Sequence, residues 1–236
     1  MATELVKCMN LTRYFGPVKA LDGVDLTLES GKIVGLLGPN GSGKTTLIKL
    51  ACRLLVPTQG DISICGSQPG VETKKIVSYL PDRNYLPEWM NCRDLIYLYE
   101  DFYEDFDTQR AVDMIRSLDI DHKIPMKKMS KGTKEKLQLI LTMSRRAKLY
   151  LLDEPIAGVD PAARDYILHT ILSNYDEDAS ILISTHLIAD VESVLDEAIF
   201  LKDGKVILQD SVDSIREKSG KSLDEHFREV FRCWES

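Results

Sequence analysis

The stretch "KIVGLLGPNGSGKTTLIKL", residues Lys32 to Leu50, decides the fold. It begins with a short apolar run, passes through a loop rich in glycine, and ends in a helical pattern. An apolar run of this length that is bounded by glycine is typical of a buried strand. The spacing Gly-x-x-x-x-Gly-Lys-Thr between a strand and a helix predicts a loop that wraps around a phosphate group.

Each part of this loop has a predicted task. Its glycines remove side chains, so that backbone N–H groups can curl around an anion. The N-terminus of the following helix adds a favourable dipole. Lys44 places a positive charge near the terminal phosphates, and the Thr45 hydroxyl is a suitable ligand for Mg²⁺. The predicted nucleotide site therefore comprises Gly38, Pro39, Asn40, Gly41, Ser42, Gly43, Lys44, Thr45 and Thr46.

Two more buried strands end in polar residues. "KLYLLDE" (148–154) places Asp153 at a strand end, where it is predicted to hold Mg²⁺ through a water, and Glu154 beside it, where it is predicted to be the general base. "ASILIST" (179–185) is followed by His186. The alternative for Asp153 and Glu154 is a carboxylate cluster at a strand end with no function, and the alternative for His186 is an ordinary core histidine. We favour functional roles because parallel sheets bind ligands at the carboxyl ends of their strands.

The alternation of strands and helices predicts an α/β fold with a parallel sheet at its core. Earlier short strands at Glu4–Cys8, Val24–Glu29 and Asp61–Cys65 predict an antiparallel β subdomain at the N-terminus. Residues from about 84 to 145 predict a helical subdomain inserted in the core. The whole chain, 1–236, is predicted to be one domain.

Two helical segments carry apolar stripes. The first, within residues 91–124, is predicted to bury Leu95, Leu98, Phe102 and Phe106 on one face. The second is a C-terminal helix over about 222–234, with Ser222 as its N-cap and a stripe formed by Leu223, Phe227, Val230, Phe231 and Trp234.

Composition narrows the function classes. A formal net charge of −7 and a pI of about 5.2 argue against a general nucleic-acid binder. The five scattered cysteines indicate reduced thiols in a cytosolic protein. Since no apolar run approaches about 18 residues, we expect any role at a membrane to require a partner.

The stretch "KKMSKGTKEK", Lys127 to Lys136, places five lysines around one serine and one glycine in an acidic protein. It is either a solvated basic face or the partner of an anion. Its order after "GPNGSGKTT" and before "LYLLDEP", "AGVD" and "STH" resembles the nucleotide-binding domain of ATP-binding cassette (ABC) ATPases. The resemblance runs from "LTRYFGPVKAL" to "LKDGKVI" and implies a P-loop NTPase fold that binds ATP and Mg²⁺.

This resemblance gives the lysine-rich stretch a role. The family's signature, usually close to Leu-Ser-Gly-Gly-Gln, falls on Met129 to Thr133. In the family, two cassettes face each other head to tail, and each signature meets the ATP held by the partner's phosphate loop. The resemblance therefore implies a homodimer, or a heterodimer with a second ABC ATPase. The implied contacts in trans are Ser130 and Gly132, which match the signature, and Lys131 and Thr133, which depart from it.

Four more positions acquire roles by resemblance. Phe15 matches the aromatic residue that stacks on adenine, and His186 matches the histidine that contacts the γ-phosphate. Asp160, in "AGVD", resembles the loop that crosses the dimer interface. Asp82, after "IVSYLP", replaces the usual glutamine, and as a hard oxygen ligand it is predicted to join the Mg²⁺ shell.

The predicted function is an ATP-hydrolysing subunit that powers a separate transmembrane permease by closing as a dimer. It would work at the cytoplasmic face of the membrane, with no direct nucleic-acid contact. "YLPD" and the acidic aromatic helix after it look similar to ATPases of ABC-2-type bacterial exporters, which favours export. The alternatives are a soluble ABC ATPase that acts on the ribosome or nucleic acid, and a regulatory nucleotide-binding module that does not hydrolyse ATP.

Overall fold

A computed structural model describes residues 3–157, 161–176 and 178–232. The strands are β1 (Glu4–Phe15), β2 (Val18–Glu29), β3 (Ile33–Leu37), β4 (Gln59–Ile64), β5 (Val77–Leu80), β6 (Leu149–Asp153), β7 (Ser180–Thr185), β8 (Glu197–Lys202) and β9 (Lys205–Ser211). The α-helices are α1 (Lys44–Ala51), α2 (Val71–Ile76), α3 (Cys92–Phe102), α4 (Thr108–Ser117), α5 (Lys131–Met143), α6 (Pro161–Ser173), α7 (Ile188–Val191), α8 (Val212–Ser219) and α9 (Leu223–Arg232).

The core is a six-stranded sheet in the order β5-β6-β7-β3-β8-β9. Its strands are parallel except β9, which forms an antiparallel hairpin with β8. All five residues of β3 are buried, as are all five of β6 and all six of β7. Strands buried on both faces read as continuous apolar runs, which is why the sequence predicted them. The predicted α/β class is confirmed.

A second, three-stranded antiparallel sheet in the order β2-β1-β4 is formed by the N-terminal part of the chain. The strand predicted over Glu4–Cys8 is too short, because β1 continues to Phe15. Its alternation breaks where Asn10 adopts a positive φ of 49° and the pairing with β2 shifts register. Asparagine tolerates this conformation better than most residues. The continuation places Phe15 at the end of the strand.

Three helices, α3 to α5, lie between β5 and β6 along the chain. The stripe predicted for residues 91–124 is interrupted, because α3 ends at Phe102 and Phe106 lies in the segment before α4. Asp107 caps α4 by accepting a hydrogen bond from the Arg110 N–H at 3.0 Å. Leu95 is buried and Phe106 is partly buried against the core. The predicted burial of Phe102 is wrong, since this side chain is 74% exposed.

A buried guanidinium fastens these helices to the core. Arg145, just after α5, binds both carboxylate oxygens of Asp105, at 2.9 and 3.0 Å. It also donates to the carbonyl of Val77 at the start of β5, and it lies 3.9 Å from the ring centre of Tyr103. Two parallel bonds between a guanidinium and a carboxylate fix geometry more firmly than one. The segment after α3 is thereby held against β5.

The C-terminal helix α9 packs on the core through its apolar stripe. Phe227 contacts Phe200 of β8 edge to face, with ring centres 5.3 Å apart, and Phe231 packs on both. The Ser222 hydroxyl accepts a hydrogen bond from the Glu225 N–H at 3.2 Å. The predicted stripe residue Trp234 lies outside the described residues.

No helix in the described parts of the chain has the length and apolarity needed to cross a membrane.

Candidate functional site

Three strand ends meet at one edge of the core sheet. In the parallel register, Leu37 of β3 lies opposite Thr185 of β7, and Asp153 of β6 lies opposite Ser184 of β7. The phosphate loop begins directly after Leu37, and His186 directly follows Thr185. The sheet thus gathers Asp153, Glu154 and His186 into one site, with Lys44 supplied by the start of α1.

The phosphate loop is fitted tightly into the molecule. A Cβ atom on Gly38 would lie only 2.3 Å from the carbonyl oxygen of Leu201 in β8, and one on Gly43 only 2.4 Å from that of Ala20 in β2. Gly204, in the β8–β9 hairpin, donates its N–H to the Ser42 carbonyl at 3.0 Å. These contacts hold the loop from both sheets.

The other loop residues face outward or begin α1. Pro39, Asn40 and Gly41 are exposed, whereas Thr45 and Thr46 lie half-buried in the first turn of the helix. Loop backbone and helix N-terminus therefore lie at the surface together, and this arrangement suits an anion.

Lys44 supplies the positive charge of the phosphate loop. Its ammonium donates to the carbonyls of Gly38 at 2.8 Å and Pro39 at 3.2 Å, and it lies 3.4 Å from Glu154 Oε1. The side chain is almost fully buried. A buried ammonium of this kind needs both hydrogen bonds and an opposite charge, and the loop supplies the first while Glu154 supplies the second.

Asp153 is buried and anchors the site. Its Oδ1 accepts hydrogen bonds from the hydroxyls of Thr45 at 3.1 Å and Ser184 at 2.6 Å. Burial raises the pKa of this carboxyl, the two hydroxyl bonds oppose the rise, and the charges of Asp82 and Glu154 add to it. Its Oδ2 is buried without a hydrogen-bond donor among the described residues.

The donors at this point fit Mg²⁺. Asp153 has an oxygen to spare, and the Thr45 hydroxyl lies within hydrogen-bond distance of its other oxygen. Asp82 follows β5, whose Leu80 lies opposite Leu152 of β6, so it leaves the sheet at the same edge as Asp153. No group of three or more acidic, histidine or cysteine side chains arranged as metal ligands occurs in the described residues. Mg²⁺ typically takes one or two carboxylates together with waters and substrate phosphates.

Glu154 has an unusual backbone. Its φ is +52°, in the left-handed region that residues with a Cβ seldom adopt. Its N–H donates to the carbonyl of Ser184 at 3.0 Å and to the Ser184 hydroxyl at 3.1 Å. The carboxylate lies 3.1 Å from His186 Nδ1 and also faces Lys44. Strained backbone is often found at functional sites, and here it turns the carboxylate between two basic side chains.

Sequence reasoning missed Ser184. Its hydroxyl donates to Asp153 Oδ1 and accepts from the Glu154 N–H, so it holds the Asp153 carboxylate and the backbone of Glu154. Its place in "ILIST" carries only a weak signal, because a serine in a buried strand becomes informative once the register shows which residue lies opposite.

Phe15 is 44% exposed at the end of β1, and the Arg13 guanidinium lies 4.8 Å from its ring centre. At this exposure Phe15 is not a core phenylalanine. An exposed ring is available for stacking on a base.

The signature segment begins α5. Ser130 caps the helix by accepting a hydrogen bond from the Thr133 N–H at 3.1 Å, and the two hydroxyls lie 2.8 Å apart. Lys131 folds back toward Glu135, 3.7 Å away, and is mostly exposed. A Cβ atom on Gly132 would meet no atom of the described residues within 4 Å. Nothing in the described parts of its own chain therefore requires a glycine at this position.

No hydrogen bond or ion pair within the described ranges joins residues 130–133 to the phosphate loop of the same chain. Asp160, predicted to lie in a loop at the dimer interface, falls outside the described residues.

A glycine loop and a helix N-terminus beside a buried aspartate, on a parallel sheet, define a P-loop nucleotide-binding protein. Residues 21–157, more than half of the chain, match the model of the ABC transporter family. The chain belongs to this family, whose ATP-binding subunits hydrolyse ATP to power transport.

Curated relatives and solved structures agree with this assignment. The chain is 31% identical to the uncharacterized ABC transporter ATP-binding protein YhaQ of Bacillus subtilis (strain 168), over 90% of this chain and 73% of YhaQ. It is 29% identical to the SkfA peptide export ATP-binding protein SkfE of the same organism, over 86% of this chain and 88% of SkfE. A solved structure of the ATP-binding subunit of an ABC transporter matches with a TM-score of 0.86 at 30% identity, over 96% of this chain and 99% of that one.

Asp153→Asn tests two effects of this carboxylate: its effect on the stability of the ligand-free fold, and its contribution to Mg²⁺ binding. Because burial raises the pKa of Asp153, its ionised form destabilises the folded chain at neutral pH, and this cost disappears below the pKa of the unfolded state. The amide keeps the acceptor for Thr45 and Ser184 and removes the charge. We expect the substitution to raise the free energy of unfolding without ligand at pH 7, with the gain shrinking as the pH falls toward about 4, near the ordinary pKa of an aspartate.

The same variant is expected to lose its stabilisation by Mg²⁺. Ligand present at about a hundred times its Kd adds about 2.7 kcal/mol to wild-type stability. Urea unfolding with Mg²⁺ and ADP, with ADP alone, and without ligand measures both effects. Asp61→Asn, on an exposed aspartate of β4, is the control. An Asp153→Asn chain that is less stable without ligand, yet still gains fully from Mg²⁺, would contradict this account of Asp153.

Proposed function

We propose that two cassettes, each binding Mg²⁺ and ATP at the site described above, close on each other and hydrolyse ATP to drive a separate membrane subunit. The observation that carries this proposal is the open signature, since a side chain at Gly132 would meet no described atom of its own chain. No hydrogen bond or ion pair in the described residues joins this helix N-terminus to the phosphate loop of its own chain, which supports a nucleotide brought by a second chain.

Each residue of the site has its own role in ATP hydrolysis. The phosphate-loop N–H groups and Lys44 bind the phosphates. The Lys44 ammonium, which pairs with Glu154 in this structure, then pairs with the γ-phosphate instead. Glu154 is then free to accept the proton of the attacking water as general base. His186, 3.1 Å from that carboxylate, holds it in place and reaches the γ-phosphate. Mg²⁺, when bound by Thr45, Asp153 and Asp82, offsets charge on the phosphates.

The remaining site residues serve the base and the dimer. Phe15 stacks on adenine, for which its exposed ring is suited. Ser130 and Gly132 present the N-terminus of α5 to the partner's γ-phosphate. Lys131 and Thr133 flank them, and Asp160 belongs to the loop that crosses the interface. The partner is a second copy of this chain or another ABC ATPase.

A cavity of about 970 Å³ is suited to the membrane subunit. It lies between the end of α1, α2, the loop after β5, and α3. Its apolar lining includes side chains that are strongly exposed, among them Val71 at 76% and Phe102 at 74%. Lys74 and Glu104 also line it and supply both signs of charge. An amphipathic helix bound in a groove is a common mode of protein recognition, and we assign this groove to a cytoplasmic helix of the permease.

The place and direction of transport follow from this assembly. The chain would lie on the cytoplasmic face of the membrane, held there by its permease. Export is favoured by the similarity to SkfE, which is described as a peptide export ATP-binding protein.

Mixing two defective variants tests whether the sites form in trans. Lys44→Ala damages the phosphate loop and leaves the signature whole, whereas Gly132→Asp places an anion where a γ-phosphate is expected. Aspartate fits at position 132 without crowding the described part of its own chain. Each variant alone has both sites damaged. A mixed dimer has one intact site, so we expect ATP-dependent heterodimers, measured by sedimentation, to appear only on mixing.

Lys127→Asp changes the charge nearby without touching the signature, and it should dimerise like the wild type. If the two defective variants, each shown to be folded, stay monomeric when mixed with ATP, sites formed in trans are contradicted. If Gly132→Asp alone still dimerises fully, the assignment of the signature is contradicted.

Phe102→Asp tests the membrane-subunit groove. In cells of the source organism, we expect the wild-type chain to sediment with membranes and to stay in solution with protein-free vesicles of the same lipids. A charge in the apolar groove should reduce the membrane-bound fraction about tenfold, as loss of about 1.4 kcal/mol of binding would. Ile207→Asp, on an exposed apolar residue of β9, is the control. Equal membrane binding by both variants, or wild-type binding to protein-free vesicles, would overturn the assignment.

A further inference from the structure

Gln138 is a polar residue in an apolar stretch of α5. It is only 3% exposed, and its neighbours in sequence, Leu137 and Leu139, are also buried. Its side-chain amide donates to the backbone carbonyl of Arg83 at 3.4 Å. Since burying an amide is unfavourable unless it is hydrogen-bonded, a purely apolar role at this position would be met better by an apolar side chain.

A second contact links the same helix to β5, the strand before this loop. Thr142, one turn further along α5, donates its hydroxyl to the Gln138 carbonyl at 2.9 Å. Its own carbonyl accepts from the Ser78 hydroxyl of β5, also at 2.9 Å. The inner face of α5 thus holds β5 at Ser78 and the loop that follows it at Arg83.

This loop carries Asp82 to the nucleotide site. Asp82 immediately precedes Arg83, whose carbonyl Gln138 holds, and its charge is one of those that act on Asp153. At the other end of α5, eight residues before Gln138, lies Ser130 of the signature, about 12 Å away along a regular helix. A single rigid helix therefore joins the signature to the backbone beside Asp82.

We propose that Gln138 is a positioning residue, which sets the place of Asp82 at the metal site and moves it when α5 moves. The inference rests on the proposed function, because it takes Asp82 and Asp153 to share Mg²⁺. When the partner's nucleotide draws the signature toward it, Gln138 carries that displacement to the metal site of its own chain. The helix between Ser130 and Gln138 is the connection.

Gln138→Met tests this role, because methionine keeps the length and removes the amide. Leu139→Met is the matched control, since it lies on the same helix, is similarly buried, and packs in the apolar core. We expect Gln138→Met to weaken Mg²⁺ binding to the ADP complex about tenfold in calorimetric titrations, the lower end of the effect that loss of a second-layer metal contact has. ADP binding in EDTA should stay close to that of the wild type, and Leu139→Met should behave as wild type in both measurements.

A double-mutant cycle with Asp82→Asn shows whether Gln138 acts through Asp82. If it does, adding Gln138→Met to the Asp82→Asn chain leaves the Mg²⁺ affinity unchanged from that of Asp82→Asn alone. An effect of Gln138→Met that is equal in both backgrounds would overturn the positioning role, and so would Mg²⁺ titrations of Gln138→Met and Leu139→Met that overlay. If Gln138→Met does not fold, Gln138→Glu, which keeps the shape and loses the donor when ionised, takes its place in the same cycle.

Failure of this inference is distinguishable from failure of the proposed function. A wild-type chain that binds ADP with no dependence on Mg²⁺ contradicts the shared metal site itself. A wild-type chain that depends on Mg²⁺, while Gln138→Met and Leu139→Met behave alike, contradicts only the role of Gln138.

Discussion

The hydrogen bonds that Thr45 and Ser184 donate to Asp153 Oδ1 are the constraint on which the site depends. They join the first turn of α1 to the ends of β6 and β7 at a buried carboxylate. Burying that charge is unfavourable, and the raised pKa of Asp153 shows it. In the proposed function, the chain retains a carboxylate there because its second oxygen serves a cation that arrives with the nucleotide.

The strain at Glu154 belongs to the same arrangement. The N–H of Glu154, whose backbone is left-handed, donates to the same Ser184 hydroxyl that orients Asp153. The carboxylate then meets Lys44 and His186. Without nucleotide the proposed base is therefore paired with the lysine that the phosphates need. In the proposed function, ATP binding and activation of the base become one event.

The sequence predicted those features that are local. Glycine spacing, a lysine and a threonine at the start of a helix, and carboxylates after apolar runs can each be recognised within a short stretch of chain. Ser184, Gln138 and the exposure of Phe102 escaped prediction because they depend on partners distant in sequence. Ser184 matters through the register of β6 and β7, and Gln138 through a loop 55 residues away. The apolar stripe wrongly predicted burial of Phe102, because this side chain lines the groove beside α3.

The most direct measurement of the central claim is phosphate release by Glu154→Gln beside its ATP binding. Glutamine has the same shape, is no base at neutral pH, and leaves Lys44, Asp153 and the phosphate loop in place. The account predicts that ATP still binds and that the hydrolysis rate falls by about 10²–10⁴-fold, the contribution of a positioned general base. Hydrolysis at the wild-type rate would contradict it.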